Sequence, residues 1–316
     1  MDPLVVGVVG PTATGKSDLA IALAQRLTGE VVGADASQLY RGMDIGTAKV
    51  PPDERHGIRH HQIDVLDVTQ EATVAAYQRD ARADVDAVLA RGALPVVAGG
   101  SGLYVRAALD RLDIPPTDPT VRAALEERLD RHGLPTLVAE LRAADPRAAA
   151  DIDPRNARRV VRALEVIALT GRPFSATMPT REFVRPTLLV GLRTDREALD
   201  RRVDRRARRM FDDGLVEETR ALVDLGLREG RTASRAVGYA QALAVIDGTM
   251  SVADAVADTA ARTRRLVRRQ ESWFRPDPRI TWFEALDHDL VDRVVAHVEA
   301  AASSVRHPDR DNGAHG

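Results

Sequence analysis

The sequence predicts an α/β fold: a parallel sheet flanked by helices and interrupted by an all-helical insertion. The first observation behind this is Gly10-Pro11-Thr12-Ala13-Thr14-Gly15-Lys16-Ser17. It fits the phosphate-loop pattern G-x-x-x-x-G-K-[ST] at every fixed position and makes the expected sheet P-loop NTPase-like. The second is the alternation of short apolar runs with helical periodicity on both sides of that loop, the pattern of parallel strands joined by crossover helices. The third is a long stretch in mid-chain that carries helix signals and no strand signal.

The elements follow in order. Leu4 to Val9 is a continuous apolar run, as expected of a parallel strand buried on both faces. Helical periodicity runs from Lys16 to Leu27, and a short strand around Val31-Val32 ends near Asp35. Ala72, Ala75, Ala76, Val85, Val88 and Leu89 mark a helix over about 71–91, and Leu94 to Ala98 is the next strand, closed by Gly99-Gly100. The proline-rich Ile114 to Pro119 then acts as a hinge. One helix beyond it is well marked, with Asp153 as cap, Pro154 in the first turn and Gly171 past the end. Thr187 to Leu192 returns as a strand, the chain to about 275 is helical with a capping box at Ser251 and Asp254, and Ile280 to Phe283 is a last strand. The expected organisation is a catalytic core of 1–113 and 186–302 with a helical C-terminal part, an insertion of 114–185, and a polar, disordered tail of 303–316.

Composition narrows the function classes. The chain of 316 residues is 44% hydrophobic and 29% charged, the balance of an ordinary soluble globular protein. No run approaches the roughly 20 apolar residues of a membrane span, and no secretory signal is evident, so a cytoplasmic protein without membrane attachment is expected. With 0 cysteines, disulfides, thiolate zinc sites and cysteine nucleophiles are excluded. The formal net charge of −2 is unlike that of a nucleic-acid binder, but arginines crowd Arg155 to Arg162, Arg201 to Arg209 and Arg262 to Arg275. Any one such run reads as a solvated helix face; three beside a phosphate loop point to a polyanionic partner.

The phosphate loop wraps backbone N–H groups and a helix N-terminus around a polyphosphate, with Lys16 neutralising it and the Ser17 hydroxyl on a magnesium ion. A routine nucleotide hydrolase would end a second strand with an acidic residue. The strand Leu94 to Ala98 runs instead into Gly99-Gly100-Ser101-Gly102, and the acidic residue is Asp35. From spacing, Asp35 is equally a metal ligand, a helix cap or a general base. Ser101 reads as a donor to a phosphate oxygen or as part of a plain strand-to-helix turn. His60, His61 and Asp64 have the look of a metal cluster, though without further ligands nearby a loop or strand-edge role is expected.

A series of motifs resembles the tRNA dimethylallyltransferases: Gly10 to Ser17, Asp35-Ala-Ser-Gln-Leu-Tyr40, Met43-Asp-Ile-Gly-Thr-Ala-Lys49, His60-His-Gln-Ile-Asp64 and Gly99-Gly-Ser-Gly-Leu-Tyr104. It continues through Arg162-Ala-Leu-Glu-Val166, Met210 with Gly214-Leu-Val-Glu-Glu218, Val237-Gly-Tyr239, and Arg269-Gln270 with Trp273, covering nearly the whole chain to about 283. The resemblance implies transfer of a dimethylallyl group from dimethylallyl diphosphate to N6 of the adenine 3′-adjacent to the anticodon in tRNA. It implies that the phosphate loop, Gly10 to Ser17, holds the donor's diphosphate and not ATP. By the same likeness Asp35 is the general base, Lys16 and Ser101 stabilise the diphosphate, and Asp35, Ala36, Ser37, Gln38 and Ser101 face the tRNA. Ala36 stands where serine is common in that family and Ser101 where many relatives have threonine; the zinc-finger extension of eukaryotic relatives is missing.

The chemistry suits these residue types. An adenine amine is a weak nucleophile whose proton a nearby carboxylate can take. A diphosphate leaves only if its growing charge meets fixed donors and cations: loop N–H groups, Lys16, Ser101, Mg2+ and an arginine. Arg202 and Arg206, one helical turn apart, are the candidates, with surface salt bridges as the alternative. Arg158, Arg159, Arg162, Arg235, Tyr239, Arg268, Arg269 and Trp273 are the candidates for gripping and stacking on an anticodon loop, although Tyr239 and Trp273 are as readily core. No oligomer is implied, so a monomer is expected. The competing readings are a P-loop kinase, a prenyltransferase acting on free adenine nucleotides, and a non-catalytic RNA-binding protein.

Overall fold

The computed structural model describes residues 4–177 and 181–306. Its six strands are β1 (Val5–Val9), β2 (Gly29–Gly33), β3 (His60–His61), β4 (Leu94–Gly99), β5 (Thr187–Arg193) and β6 (Ile280–Glu284). They form one parallel sheet in the order β3-β2-β4-β1-β5-β6. β1 is buried along its whole length between β4 and β5, with Val6 opposite Val96 and Leu188. Chain order reverses on either side of β1, and a parallel sheet leaves its ligand crevice at the carboxyl ends of such strands.

Three helices cross between the early strands: α1 (Lys16–Arg26), α2 (Val74–Ala90) and α3 (Gly102–Leu109). α1 lays Leu19 and Leu23 on one face of the sheet, against Val6, Val8, Val96 and Val190. α2 and α3 cover the other face, where the rings of Tyr77 and Tyr104 meet 4.5 Å apart and tilted by 45°.

The chain divides into two compact units, one running to Leu109 and resuming at Phe183, the other Asp110–Glu182. The second unit contains α4 (Pro119–His132), α5 (Leu134–Ala144), α6 (Pro146–Asp151) and α7 (Ala157–Thr170), around a core of Leu125, Leu137, Leu141, Val160 and Leu164. It begins and ends a few residues before the expected 114 and 185. The backbone explains this: the Arg111 N–H donates to the Glu182 carbonyl at 2.7 Å and closes the unit, whereas Val184 N–H donates to Leu109. The proline run lies inside the unit, its Pro115 and Pro116 carbonyls held by the Arg162 guanidinium at 2.8 and 2.9 Å.

The cap expected at Asp153 is placed differently. Asp153 accepts from its neighbour Arg155 in a turn, and Asn156 caps α7 by accepting from Arg159 N–H at 3.2 Å. Pro154 therefore precedes the helix, while Gly171 ends it at a φ of 65° as expected. The Ser251 cap is real but one-sided: its hydroxyl accepts from the Asp254 N–H and donates to the Asp254 carboxylate, which does not reach back to the Ser251 backbone.

Returning to the first unit, the chain adds α8 (Arg196–Asp212), α9 (Leu215–Asp224), α10 (Tyr239–Ile246), α11 (Val252–Phe274) and α12 (Leu290–Arg306). α12 joins α1 on its face of the sheet through Val294 and Val298. α8, α9 and α10 share a separate core, in which Phe211, Leu215, Leu222, Tyr239 and Leu243 bury Tyr40 and Met43 from the segment after β2. That packing holds the 35–50 segment beside the phosphate loop. α12 is helical through 306, so the expected tail from 303 is shorter at its start; 307–316 lie outside the described residues. Among the described residues no helix is long and apolar enough to cross a membrane.

Candidate active site

β1 delivers the chain into the phosphate loop at Gly10, whose φ is 139° and where a Cβ would stand 2.5 Å from the Leu192 carbonyl. Only glycine passes β5 there. Ala13 turns the loop at a φ of 66° without the help of glycine, a strained conformation of the kind found at ligand sites. Gly15, at a φ of 86°, then starts α1 with no side-chain cap, leaving the first N–H groups of that helix for an anion. Thr14 Oγ1 and Lys16 Nζ both donate to the Pro11 carbonyl, at 2.8 and 2.7 Å, and fix the loop's shape.

The loop forms one wall of a cleft of about 650 Å³. Gly99 and Gly100 at the end of β4, the 44–51 segment, Asp35 and one face of α8 form the rest. α8 presents Arg202, Arg205, Arg206 and Arg209 to the cleft, the i, i+3, i+4, i+7 stripe of a single helix face. Arg206 is half-buried and donates to Thr12 Oγ1 at 3.2 Å and to the Thr47 carbonyl at 3.3 Å. Neither Arg202 nor Arg206 forms an ion pair among the described residues, so the salt-bridge alternative does not describe them. By contrast Arg201 pairs with Glu197, Arg262 with Asp258 and Arg264 with Asp204.

Burial sets the electrostatics. It pulls the Lys16 ammonium down to about 8, with Asp35 opposing the shift and Arg206 adding to it. It also lowers Arg206, against the pull of Asp35 and Asp18. A cleft that strains its own cations in this way gains when an anion enters.

Asp35 stands at the carboxyl end of β2, half-buried, on the cleft wall. Its Oδ1 accepts from the Ser37 N–H at 2.9 Å, and residues 36–39 form a turn. No helix follows, so Asp35 is not a helix cap. Gln38 also lines the cleft, with Nε2 donating to the Thr47 carbonyl at 3.2 Å; Ala36 and Ser37 do not line it. Ser101 follows the cleft-lining glycines at the start of α3, half-buried and with a hydroxyl that makes no hydrogen bond among the described residues, yet it does not itself line the cleft.

The Met43 to Lys49 motif is a scaffold for this wall. Glu218 accepts from the Asp44 and Ile45 N–H groups, at 3.2 and 2.9 Å, and from Tyr239 Oη at 2.6 Å. The same Tyr239 hydroxyl accepts from the Gly46 N–H at 3.2 Å, and a Cβ at Gly46 would lie 2.4 Å from the tyrosine ring. Buried Lys49 ties the segment together from below, donating to the Tyr40 carbonyl and pairing with Asp44 and Asp64. Tyr239 is fully buried, so its expected stacking on RNA is corrected: it is core. The scarcity of aromatics cannot distinguish the two roles, because both need a large ring.

Arg162 is corrected on a different ground: it is half-buried, but its guanidinium is already engaged. Its guanidinium holds Pro115, Pro116 and the fully buried Glu165, which also receives Arg122, Thr117 Oγ1 and the Asp118 N–H. Burial pushes the Glu165 carboxyl up, and those donors outweigh it and hold it at about 2. Arg158 and Arg159 on α7, and Arg235, Arg268 and Arg269 in the other unit, are exposed and form no ion pair among the described residues. Trp273 is half-buried, its ring packed on Gly102 with the Arg106 guanidinium 5.7 Å away. His60 and His61 form the edge strand β3; His61 pairs with Glu30 and Asp84, and no metal-ligand group occurs among the described residues.

Sequence reasoning missed Arg205 and Arg209, although their spacing from Arg202 and Arg206 marks one helix face. It also assigned no role to Gln270, whose partners are far apart in the chain and leave no local signal.

Comparison with known proteins decides among the chemistries such a cleft could serve. The family model for IPP transferase matches residues 38–277. This chain belongs to the IPP transferase family. Relatives include a tRNA dimethylallyltransferase of Streptomyces avermitilis, 57% identical over 92% of this chain and 93% of that one. Another, of Kocuria rhizophila, is 55% identical over 92% of each. Among solved structures, the full-length tRNA isopentenylpyrophosphate transferase of Bacillus halodurans aligns over 97% of this chain and 100% of that one, with a TM-score of 0.70 and 35% identity. A eukaryotic dimethylallyltransferase acting on tRNA aligns with a TM-score of 0.80 at 26% identity, over 97% of this chain and 80% of the other. The family's motifs therefore have a structural account here: the loop residues build the cleft, and Glu218, Tyr239 and Lys49 brace it.

Proposed function

We propose that this chain transfers a dimethylallyl group from dimethylallyl diphosphate to N6 of the adenine 3′-adjacent to the anticodon in tRNA, giving N6-dimethylallyladenosine and diphosphate. The observation that carries the reading is one cleft holding the Asp35 carboxylate together with the phosphate loop and Arg206. The phosphate loop, Lys16 and Arg206 receive the diphosphate. The adenine amine attacks C1 of the allyl group, the C1–O bond breaks with its electron pair leaving on the diphosphate, and the amine proton passes to Asp35. A P-loop kinase is disfavoured because β4 ends in Gly99-Gly100, where a metal-holding carboxylate would stand.

A magnesium ion fits the residues present in one respect: the Ser17 hydroxyl lines the cleft and makes no hydrogen bond among the described residues. Ser17 would hold the ion, with diphosphate oxygens and water completing its shell. Bound there, it would neutralise charge on the leaving diphosphate.

Exposed Arg235, Arg268 and Arg269 belong to the RNA side of the reading, and Arg158 and Arg159 place the insertion in it as well. A cytoplasmic location, where tRNA is met, completes the reading.

The test is incubation of the purified protein with magnesium, labelled dimethylallyl diphosphate, and either tRNA carrying adenine beside its anticodon or AMP. Label entering tRNA, and absent with Asp35→Ala, is the expected result. Label entering AMP alone would move the acceptor to free nucleotide, and transfer to neither would return the kinase.

A further inference from the structure

Gln270 lies on α11, 6% exposed, between two segments that the sequence separates widely. Its Oε1 accepts from the Thr12 N–H at 2.8 Å. Its amide nitrogen fills the space beside Gly100: a Cβ built there would stand 2.4 Å from Nε2, 3.2 Å from Cδ and 3.3 Å from the Gly10 carbonyl. One buried side chain is thus wedged between the phosphate loop and the glycine turn that ends β4, the two backbone walls of the cleft.

The consequence reaches a cation. Thr12, whose backbone Gln270 holds, accepts from the Arg206 guanidinium through its Oγ1. The chain of bonds Gln270–Thr12–Arg206 therefore fixes both a loop peptide and the arginine facing the donor. It also takes the Thr12 N–H out of the set of loop donors open to an anion. Nε2 has no hydrogen-bond partner among the described residues, so the amide is held by this wedge and not by a competing network.

We propose that Gln270 is a positioning residue for the diphosphate half of the site: it sets the spacing of the two glycine walls and the aim of Arg206, and touches neither the allyl group nor the adenine. The inference rests on the prenyl-transfer reading. It gives the glycine at position 100 a role, since a Cβ there would have to push the Gln270 amide aside.

Three single variants and one double variant test it. Gln270→Met keeps the length and removes the acceptor, and should raise the KM for dimethylallyl diphosphate about tenfold, the effect of losing one buried hydrogen bond. The KM for tRNA should stay near that of the wild type, and the thermal midpoint should fall by no more than the loss of one buried hydrogen bond. Gly100→Ala should show the same donor defect by displacing the amide. Because both act through one wedge, Gly100→Ala combined with Gln270→Ala should be no worse than Gln270→Ala alone, a non-additive cycle. An unchanged donor KM in Gln270→Met, equal losses toward donor and tRNA, or additive defects in the double variant would overturn the proposal. Failure of the wild type to transfer label at all would instead remove the prenyl-transfer reading, so the two failures are distinct.

Discussion

At the scale of single residues, the site works by placing cations where burial makes them reactive to charge. Lys16 is held at about 8 by burial, so it is charged below that pH and loses its proton as pH rises through it. Affinity for dimethylallyl diphosphate should accordingly fall as pH rises past about 8, and the fall should be absent in Lys16→Met, as read from KM against pH. Asp35 is the group whose loss should stop chemistry and spare binding. We expect Asp35→Asn to lower kcat by about a hundredfold or more, with the donor KM within a few-fold of the wild type. A donor KM that rises in proportion instead would place Asp35 in binding.

At the scale of elements, two buried polar struts separate stability from function. Tyr239→Phe removes the hydroxyl that joins Glu218 to the Gly46 N–H and should cost about 1–3 kcal/mol in urea unfolding. Because the ring is buried, RNA affinity per folded molecule should not change. In the insertion, Glu165 has a depressed carboxyl, so its stabilising effect is complete above its ordinary range near 4.5 and is lost as pH falls toward 2. Arg162→Ala should unfold that unit at a higher pH than the wild type in an acid titration followed by circular dichroism. Unfolding at the same pH would show that Arg122 alone suffices.

At the scale of the whole molecule, the net charge of −2 conceals an uneven distribution. Many arginines are neutralised locally, as Arg201, Arg228 and Arg264 are, whereas those without an ion pair among the described residues include Arg158, Arg159, Arg235, Arg268 and Arg269 on the surface and Arg202, Arg205, Arg206 and Arg209 in the cleft. A polyanion bound by the exposed set should dissociate as salt rises. Reversing Arg158 and Arg159 to glutamate should weaken tRNA binding and reduce the slope of log K against log salt by about 0.7 for each RNA phosphate left without its arginine, taking the single-strand value. An unchanged slope would remove the insertion from the RNA interface.

How much of this was legible follows from the range of the interactions. The phosphate loop, the strand that feeds it and the glycines closing β4 were readable because each depends on neighbours in sequence: φ angles, a helix start and a buried apolar run. The parallel sheet was readable for the same reason, since alternating strand and helix periods leave few ways to close a core. The cap of α7 was misplaced by three residues, because Asp153 and Asn156 are both competent acceptors and only the backbone turn between them selects one. The spacing of the α8 arginines showed that they share a face but not that the face looks into the cleft; that depends on Leu199, Val203 and Ala207 packing the opposite side. Tertiary structure alone decided that Tyr239 is a strut, that Arg162 is bound to the Pro115 and Pro116 carbonyls, and that Gln270 separates two loops. Each of those roles is set by a partner distant in the chain, and a side chain's chemistry states what it can bond but not what folding brings within 3 Å of it.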